Sequence, residues 1–288
     1  MRARIKKTLA AAAAVVTATT AVIVGVSGGG ATAAASSLLA YGIAGNGTLM
    51  LQFWTGTPEQ NDWVRRITGL SGDTSVVGID FRVQDGKLYA VGNKGGIYTI
   101  GIPSAIATKV SQLQVALYGT NFGVDFNPAA DRLRVISDNA QNLRHNLNDH
   151  TTIEDTTLTT PPATGPTRGV TAAAYTNNDL NAATGTTLFD INTTTDQVVI
   201  QSPANNGLLV ATGNLGFDAD GNAGFDIFSD LTGGKTTALT AYASLTPVVP
   251  ADQVPLQNFY SIDLLTGTPT LIGTFPLDVT DVAVALDK

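Results

Sequence analysis

A glycine–aspartate motif that recurs along the chain constrains the fold most strongly. Its clearest copies are Gly78-Ile79-Asp80-Phe81, Gly123-Val124-Asp125-Phe126 and Gly224-Phe225-Asp226-Ile227, and Gly169-Val170-Thr171-Ala172 is a fourth, weaker copy. Successive glycines are 45, 46 and 55 residues apart. Further short runs of β-branched and aromatic residues follow each motif, separated by Gly, Asn, Asp and Pro. A period of about 40–50 residues with about four strands is typical of a β-propeller, in which each repeat forms one blade.

The two ends of the chain predict how such a ring closes. Leu38 to Ile43, Leu49 to Trp54 and Trp63 to Leu70 resemble the later strands of a blade that lacks its first strand. Asp278 to Leu286 resembles a first strand with nothing after it. Pairing the terminal strands in one blade removes unpaired sheet edges. We therefore predict an all-β, five-bladed β-propeller whose N- and C-terminal strands share a blade.

A six-bladed ring is the alternative, because 181–214 holds more strand-forming sequence than one blade needs. Two proline-containing stretches, Thr156 to Thr167 and Thr240 to Gln257, are predicted to be loops.

The first 35 residues have the layout of a secretory signal peptide. A basic start, Met1 to Lys7, precedes the uncharged run Thr8 to Val26, and Ala33-Ala34-Ala35 fits the small-residue pattern before a cleavage site. A retained membrane anchor is the alternative. We expect residues 1–35 to be removed and residues 36–288 to form one secreted or cell-envelope β-propeller domain, with no apolar run left that could span a membrane.

Charge and cysteine content exclude several classes of function. The formal net charge is −7, and removing the four basic residues of the first 35 takes it to −11. Such a surface repels phosphate backbones, so we expect no nucleic-acid partner. The chain has no cysteine, which excludes disulfides, thiolate catalysis and zinc–cysteine sites.

Several longer signatures resemble a known family. These are Gly123 to Val135, Tyr175 to Asn178, Thr187 to Asn192 and Asn205 to Leu209. In combination they are similar to a bacterial secreted family catalogued as domain of unknown function 4394, over essentially the whole chain after the signal segment. The resemblance implies a propeller-like exported protein, and it carries no activity to named positions.

The motif aspartates Asp80, Asp125 and Asp226 are the main candidate site. We place them on the innermost strands, where each carboxylate is either partnered or faces a central channel. As partnered groups they could cap a turn, accept backbone N–H bonds or pair with arginine. In the channel they could bind a cation such as Ca²⁺, or act as acid and base in a glycosidase. The arginines available for such pairing are Arg82, Arg132 and Arg168. The two remaining blades offer Thr171 and Ala283 at the aligned position.

Two other groups have metal-ligand character. Asp218, Asp220 and Asn222 alternate in a glycine-containing turn and could hold Ca²⁺, although the full ligand ladder of a helix-loop-helix calcium site is missing. His145 and His150 are the only histidines, and we expect surface residues rather than a metal pair. The only glutamates, Glu59 and Glu154, lie outside the predicted inner strands, which counts against a hydrolase.

The sequence contains no complete set of catalytic residues, so we name none. The favoured function is a non-enzymatic propeller that binds an unidentified ligand or protein, with carbohydrate as one candidate, at the channel mouth or on the proline-rich loops. The alternatives are a carbohydrate-active hydrolase that uses the channel aspartates and a calcium-stabilised structural or interaction protein. No cofactor is assigned, and Ca²⁺ is the one candidate.

Overall fold

A computed structural model describes residues 37–287, which form twenty strands in five four-stranded antiparallel sheets. The predicted signal peptide, residues 1–35, lies outside the described residues. Blade 1 contains β4 (Val76–Arg82), β5 (Lys87–Gly92), β6 (Gly96–Ile100) and β7 (Ala107–Gln112). Blade 2 contains β8 (Phe122–Asn127), β9 (Arg132–Ser137), β10 (Asn142–Asn146) and β11 (Thr151–Glu154).

The remaining blades follow the same plan. Blade 3 contains β12 (Val170–Tyr175), β13 (Leu188–Asn192), β14 (Gln197–Gln201) and β15 (Leu209–Asn214). Blade 4 contains β16 (Ala219–Thr232), β17 (Lys235–Pro247), β18 (Asn258–Ile262) and β19 (Pro269–Thr274). Blade 5 contains β20 (Val279–Val284), β1 (Leu39–Ala44), β2 (Leu49–Trp54) and β3 (Asn61–Arg66). A single 3₁₀ turn, Ala204–Asn206, precedes β15.

The two ends of the described chain close the ring. β20 pairs antiparallel with β1, which places Gly42 opposite Val282 and Tyr41 opposite Ala283. The innermost strands β4, β8, β12, β16 and β20 follow one another around the ring, and each contacts the next. The predicted five-bladed propeller with a shared terminal blade is therefore confirmed, and the six-bladed alternative is wrong.

Five apolar clusters, one between each pair of neighbouring blades, form the core. The motif glycines bring the inner strands together. A Cβ on Gly123 would lie 2.6 Å from the Ala173 amide nitrogen of blade 3, and one on Gly224 would lie 2.5 Å from Asp281 Cα of blade 5. In blades 1, 2 and 4 glycine stands at this place, where a Cβ would collide with the innermost strand of the next blade.

One loop prediction was partly wrong. Residues 240–247 lie in β17, which forms a long hairpin with β16, and the loop covers only 248–257. Pro247 is the last residue of β17 and lies beyond residues 241–245, which pair with β18, so the strand has an open edge there. The stretch from Thr156 to Thr167 is a loop, as predicted. Within residues 37–287 no helix is long and apolar enough to cross a membrane.

Candidate functional site

The three motif aspartates converge at the centre of the ring. Asp80 lies on β4, Asp125 on β8 and Asp226 on β16, and each side chain is buried. Each can offer one carboxylate oxygen such that the three oxygens lie within 4.8 Å of one another. The predicted placement on the innermost strands is confirmed, and the structure adds the convergence that the sequence left open.

Each of these carboxylates joins its own blade to the next one. It accepts a hydrogen bond from a backbone N–H on the innermost strand of the following blade. These bonds run from Phe126 N to Asp80 Oδ2 (2.7 Å), from Tyr175 N to Asp125 Oδ1 (3.0 Å) and from Val284 N to Asp226 Oδ2 (2.6 Å). The second oxygens of Asp80 and Asp226 accept the N–H of the residue that follows each in its own strand, at 2.6 Å.

Of the structural roles considered from the sequence, acceptance of backbone N–H is therefore the one observed. Arginine pairing is not: Arg82 pairs with Asp131 and Asp85 instead.

The hydrogen bonds also correct the alignment of the repeats. Tyr175 occupies the position that Phe126 and Val284 occupy in their blades, so Ala174 is the counterpart of the motif aspartates. The sequence-based choice of Thr171 was wrong because it took Gly169 as the motif glycine, whereas Ala172 stands at that place in β12. Ala283 is at the aligned position, as predicted.

A fourth buried carboxylate, Asp281 on β20, was missed. It stands where blades 1, 2 and 4 have the motif glycine, two residues before Ala283, and its Oδ2 accepts the Ile79 N–H of blade 1 at 2.8 Å. The repeated Asp-Val in 278–282 is the only sequence signal that could have indicated it.

Burial raises the pKa of all four carboxyls. The pKa of Asp80 and that of Asp125 are raised well above the ordinary value, first by burial and then by the charges of neighbouring aspartates. Burial raises the pKa of Asp226 to about 6, against the backbone N–H bonds that lower it. Burial likewise raises the pKa of Asp281. The cluster therefore favours a shared proton or a bound cation over several free negative charges.

A cavity of about 570 Å³ opens at the end of the channel where the innermost strands begin. We call this cavity the channel mouth. Its polar lining comes from loops and strand starts of blades 1, 2, 4 and 5 and includes Asn46, Asn93, Thr120, Asn121, Asp220 and Asn222. Asp220 is the only charged side chain in the lining.

Three lining amides are free to meet a ligand. The side chains of Asn46, Asn121 and Asn222 make no hydrogen bond to the described residues. Each amide presents both a donor and an acceptor. The mouth therefore suits a neutral ligand rich in hydroxyl or amide groups.

The group predicted as a calcium turn lies at this mouth, but the turn itself was wrong: β16 begins at Ala219, so Asp220 and Asn222 lie in that strand, where its pairing with β17 is irregular. Asp220 and Asn222 belong to the lining, whereas Asp218 does not. Asp220 Oδ1 accepts the N–H of the next residue, Gly221, at 2.7 Å.

The surface prediction for the histidines was wrong for His145, which is fully buried, whereas His150 is exposed. The Ser111 hydroxyl lies 2.8 Å from His145 Nε2 and 2.9 Å from His150 Nδ1, so it links blade 1 to blade 2. Burial lowers the pKa of His145 to about 4. This linkage depends on the packing of blade 1 against blade 2, which the sequence did not reveal.

The closed ring of five four-stranded sheets around a central channel defines the class: this is a five-bladed β-propeller. Residues 49–283 match the family described as domain of unknown function (DUF4394), and the chain belongs to that family. No curated protein matches the sequence.

Solved structures with similarity to the chain share little sequence with it. A structural-genomics protein of unknown function from Bacteroides thetaiotaomicron is 12% identical with a TM-score of 0.49, over 88% of this chain and 68% of the other. Glutaminyl cyclase from Myxococcus xanthus is 14% identical with a TM-score of 0.44, over 77% and 94%. A chain of the nidogen–laminin complex is 11% identical with a TM-score of 0.47, over 87% and 98%.

Proposed function

We propose that this protein is a secreted or cell-envelope binding module that takes a neutral, hydroxyl-rich ligand, a saccharide, in its channel mouth. The observation that carries the proposal is the set of free amides of Asn46, Asn121 and Asn222 around one cavity of about 570 Å³. That volume lies within the roughly 300–1,000 Å³ range of small-ligand sites. Hydrogen bonds from amides suit sugar hydroxyls, which both donate and accept.

The test is a glycan array followed by calorimetric titration of the glycan that is retained best. Replacing Asn121 or Asn222 with Ala removes a hydrogen bond and should weaken binding by about 2- to 10-fold each. The matched control is Asn206→Ala, at an exposed asparagine outside the mouth, which should leave the affinity unchanged. Equal affinities of the unaltered protein and the three variants would mean that the glycan binds elsewhere.

Export is part of the proposal and rests on the signal-like sequence of residues 1–35. Replacing Ala33 and Ala35 with bulky residues should block processing, so that the longer precursor accumulates. Unchanged size and unchanged secretion of the variant would count against export.

A calcium-stabilised propeller is the second candidate, favoured by the three channel carboxylates with oxygens within 4.8 Å of one another. Clustered carboxylates suit the hard-oxygen preference of Ca²⁺. A ligand held only by the folded state raises the melting temperature, so Ca²⁺ should raise it and a chelator should lower it. Equal melting curves would remove this candidate. The hydrolase has less support, because these carboxylates are buried and bonded to neighbouring strands.

A further inference from the structure

A polar cluster between blades 2 and 3 centres on the buried guanidinium of Arg134. Arg134 lies on β9 and faces blade 3, as does Ile136, which packs there against Ala173. Its Nε donates to the Tyr175 hydroxyl at 3.2 Å. Its Nη1 donates to Asn142 Oδ1 (2.7 Å) and Asp155 Oδ2 (2.8 Å), and its Nη2 donates to Asn205 Oδ1 (2.8 Å). We call these residues the Arg134 cluster.

Asp190 faces the same interface without a hydrogen-bond partner. It lies on β13 directly opposite Ala173, which packs against blade 2, so its side chain points toward that blade. Its relative exposure is 0%, and neither carboxylate oxygen has a partner among the described residues. Gln201 Oε1, on the neighbouring strand, is buried without a partner as well. Buried polar groups without partners are rare in folded proteins, and each requires an explanation.

The charges of the cluster indicate why an acid stands here. Asp155 pairs with two guanidinium groups, Arg134 at 2.8 Å and Arg144 at 3.0 Å. One carboxylate therefore neutralises only one of the two positive charges, and Arg134 is too buried for solvent water to stabilise its charge. An ionised Asp190 supplies the second negative charge and makes the group of four neutral. Burial raises the pKa of Asp190 well above the ordinary value, although the nearby charge of Arg134 opposes that rise. A hydrogen bond donated to the carboxylate lowers the pKa further, so the ionised form requires a donor at this site.

The hydrogen-bond capacities identify the missing component. A guanidinium carries five N–H donors, and the contacts of Arg134 leave one Nη2 hydrogen unused. Two Asp190 oxygens and one Gln201 oxygen lack donors. A group that bridges a free donor to free acceptors must both accept and donate, which a metal cation cannot do. Water does both, and a buried water typically makes about three hydrogen bonds.

We propose that Asp190 and Arg134 form an ion pair bridged by internal water, and that this interface is a specific water-binding site between blades 2 and 3. The site is independent of the channel mouth.

The charge of Asp190 is tested by comparing native electrophoretic mobility at neutral pH. Asp190→Asn keeps the size of the side chain and removes its charge if it is ionised. The matched control is Asp230→Asn, at an exposed aspartate, which defines the shift caused by one charge. The proposal predicts equal shifts for the two variants. No shift for Asp190→Asn would mean a protonated carboxyl and would overturn the ion pair.

The water is tested in the unaltered protein, so the result does not depend on a variant that folds. A crystal structure that resolves ordered water should show a peak about 2.7–3.2 Å from both an Asp190 oxygen and Arg134 Nη2. A dry interface, or a direct bond between the two side chains, would overturn the proposal.

Discussion

The channel carboxylates make the stability of the propeller depend on pH in an unusual direction. Asp226 has a pKa of about 6 in the folded protein against 3.8 ordinarily, so the folded state holds this proton more tightly. As the pH rises from about 4 to about 6, the unfolded chain releases the proton first, and the free energy of unfolding falls. The difference of about 2 pKa units corresponds to a loss of roughly 3 kcal/mol.

Asp226→Asn removes this titration. The amide NH₂ cannot accept the backbone N–H that one Asp226 oxygen accepts from Ile227 or Val284, which should cost about 1–3 kcal/mol at every pH. The variant is therefore less stable than the parent at about pH 4. The parent then loses roughly 3 kcal/mol by about pH 7, so the difference in unfolding free energy should close or change sign. Loss of this charge also lowers the pKa of Asp80 and that of Asp125, which works in the same direction.

The assay is urea unfolding of both proteins across this pH range in the presence of a chelator. The chelator matters because a bound cation would keep the carboxylates ionised and remove the slope. A gap that stays constant from acid to neutral pH would refute the assignment of this titration to the channel cluster.

Three further outcomes are expected. Gly123→Ala should lower the free energy of unfolding by about 1–3 kcal/mol, because the new Cβ meets the Ala173 nitrogen at 2.6 Å. The control is Gly185→Ala, whose new Cβ meets nothing within 4 Å. It should leave the free energy of unfolding unchanged in the same urea assay. Deleting the chain from Val279 onward removes β20 and exposes the β1 edge, so thermal unfolding should lose its cooperativity and light scattering should report aggregation. With the chelator replaced by excess Ca²⁺, the fall in parent stability between about pH 4 and pH 6 should disappear if the channel cluster binds the ion; an unchanged slope would contradict binding.

The ring could be predicted from the sequence because the two recurring residues have separate structural roles. Glycine at Gly78, Gly123 and Gly224 allows neighbouring inner strands to approach, and the aspartate two positions later bonds the next strand. The two residues occur together in blades 1, 2 and 4, and three copies are enough to appear as sequence periodicity. In blade 3, where Ala172 stands in place of the motif glycine, the same reasoning took Gly169 for that glycine and chose Thr171 instead of Ala174.

The channel mouth could not be predicted in the same way. Asn46, Asn121 and Asn222 lie far apart in the chain, on segments whose common position depends on ring closure and on the twist of each blade. Asparagine in a loop is ordinary turn chemistry, and nothing local distinguishes an amide that faces the channel. The unpartnered state of Asp190 could not be predicted for a related reason: its burial and its lack of hydrogen-bond partners follow from packing between blades.

The most direct test of the proposed binding site is nuclear magnetic resonance of the side-chain amides, with the glycan that the array retains best added stepwise. Binding in the mouth predicts that the NH₂ signals of Asn46, Asn121 and Asn222 shift together and saturate at one dissociation constant, while that of Asn206 stays in place. Shifts confined to another face of the propeller, with these three signals unmoved, would contradict the account.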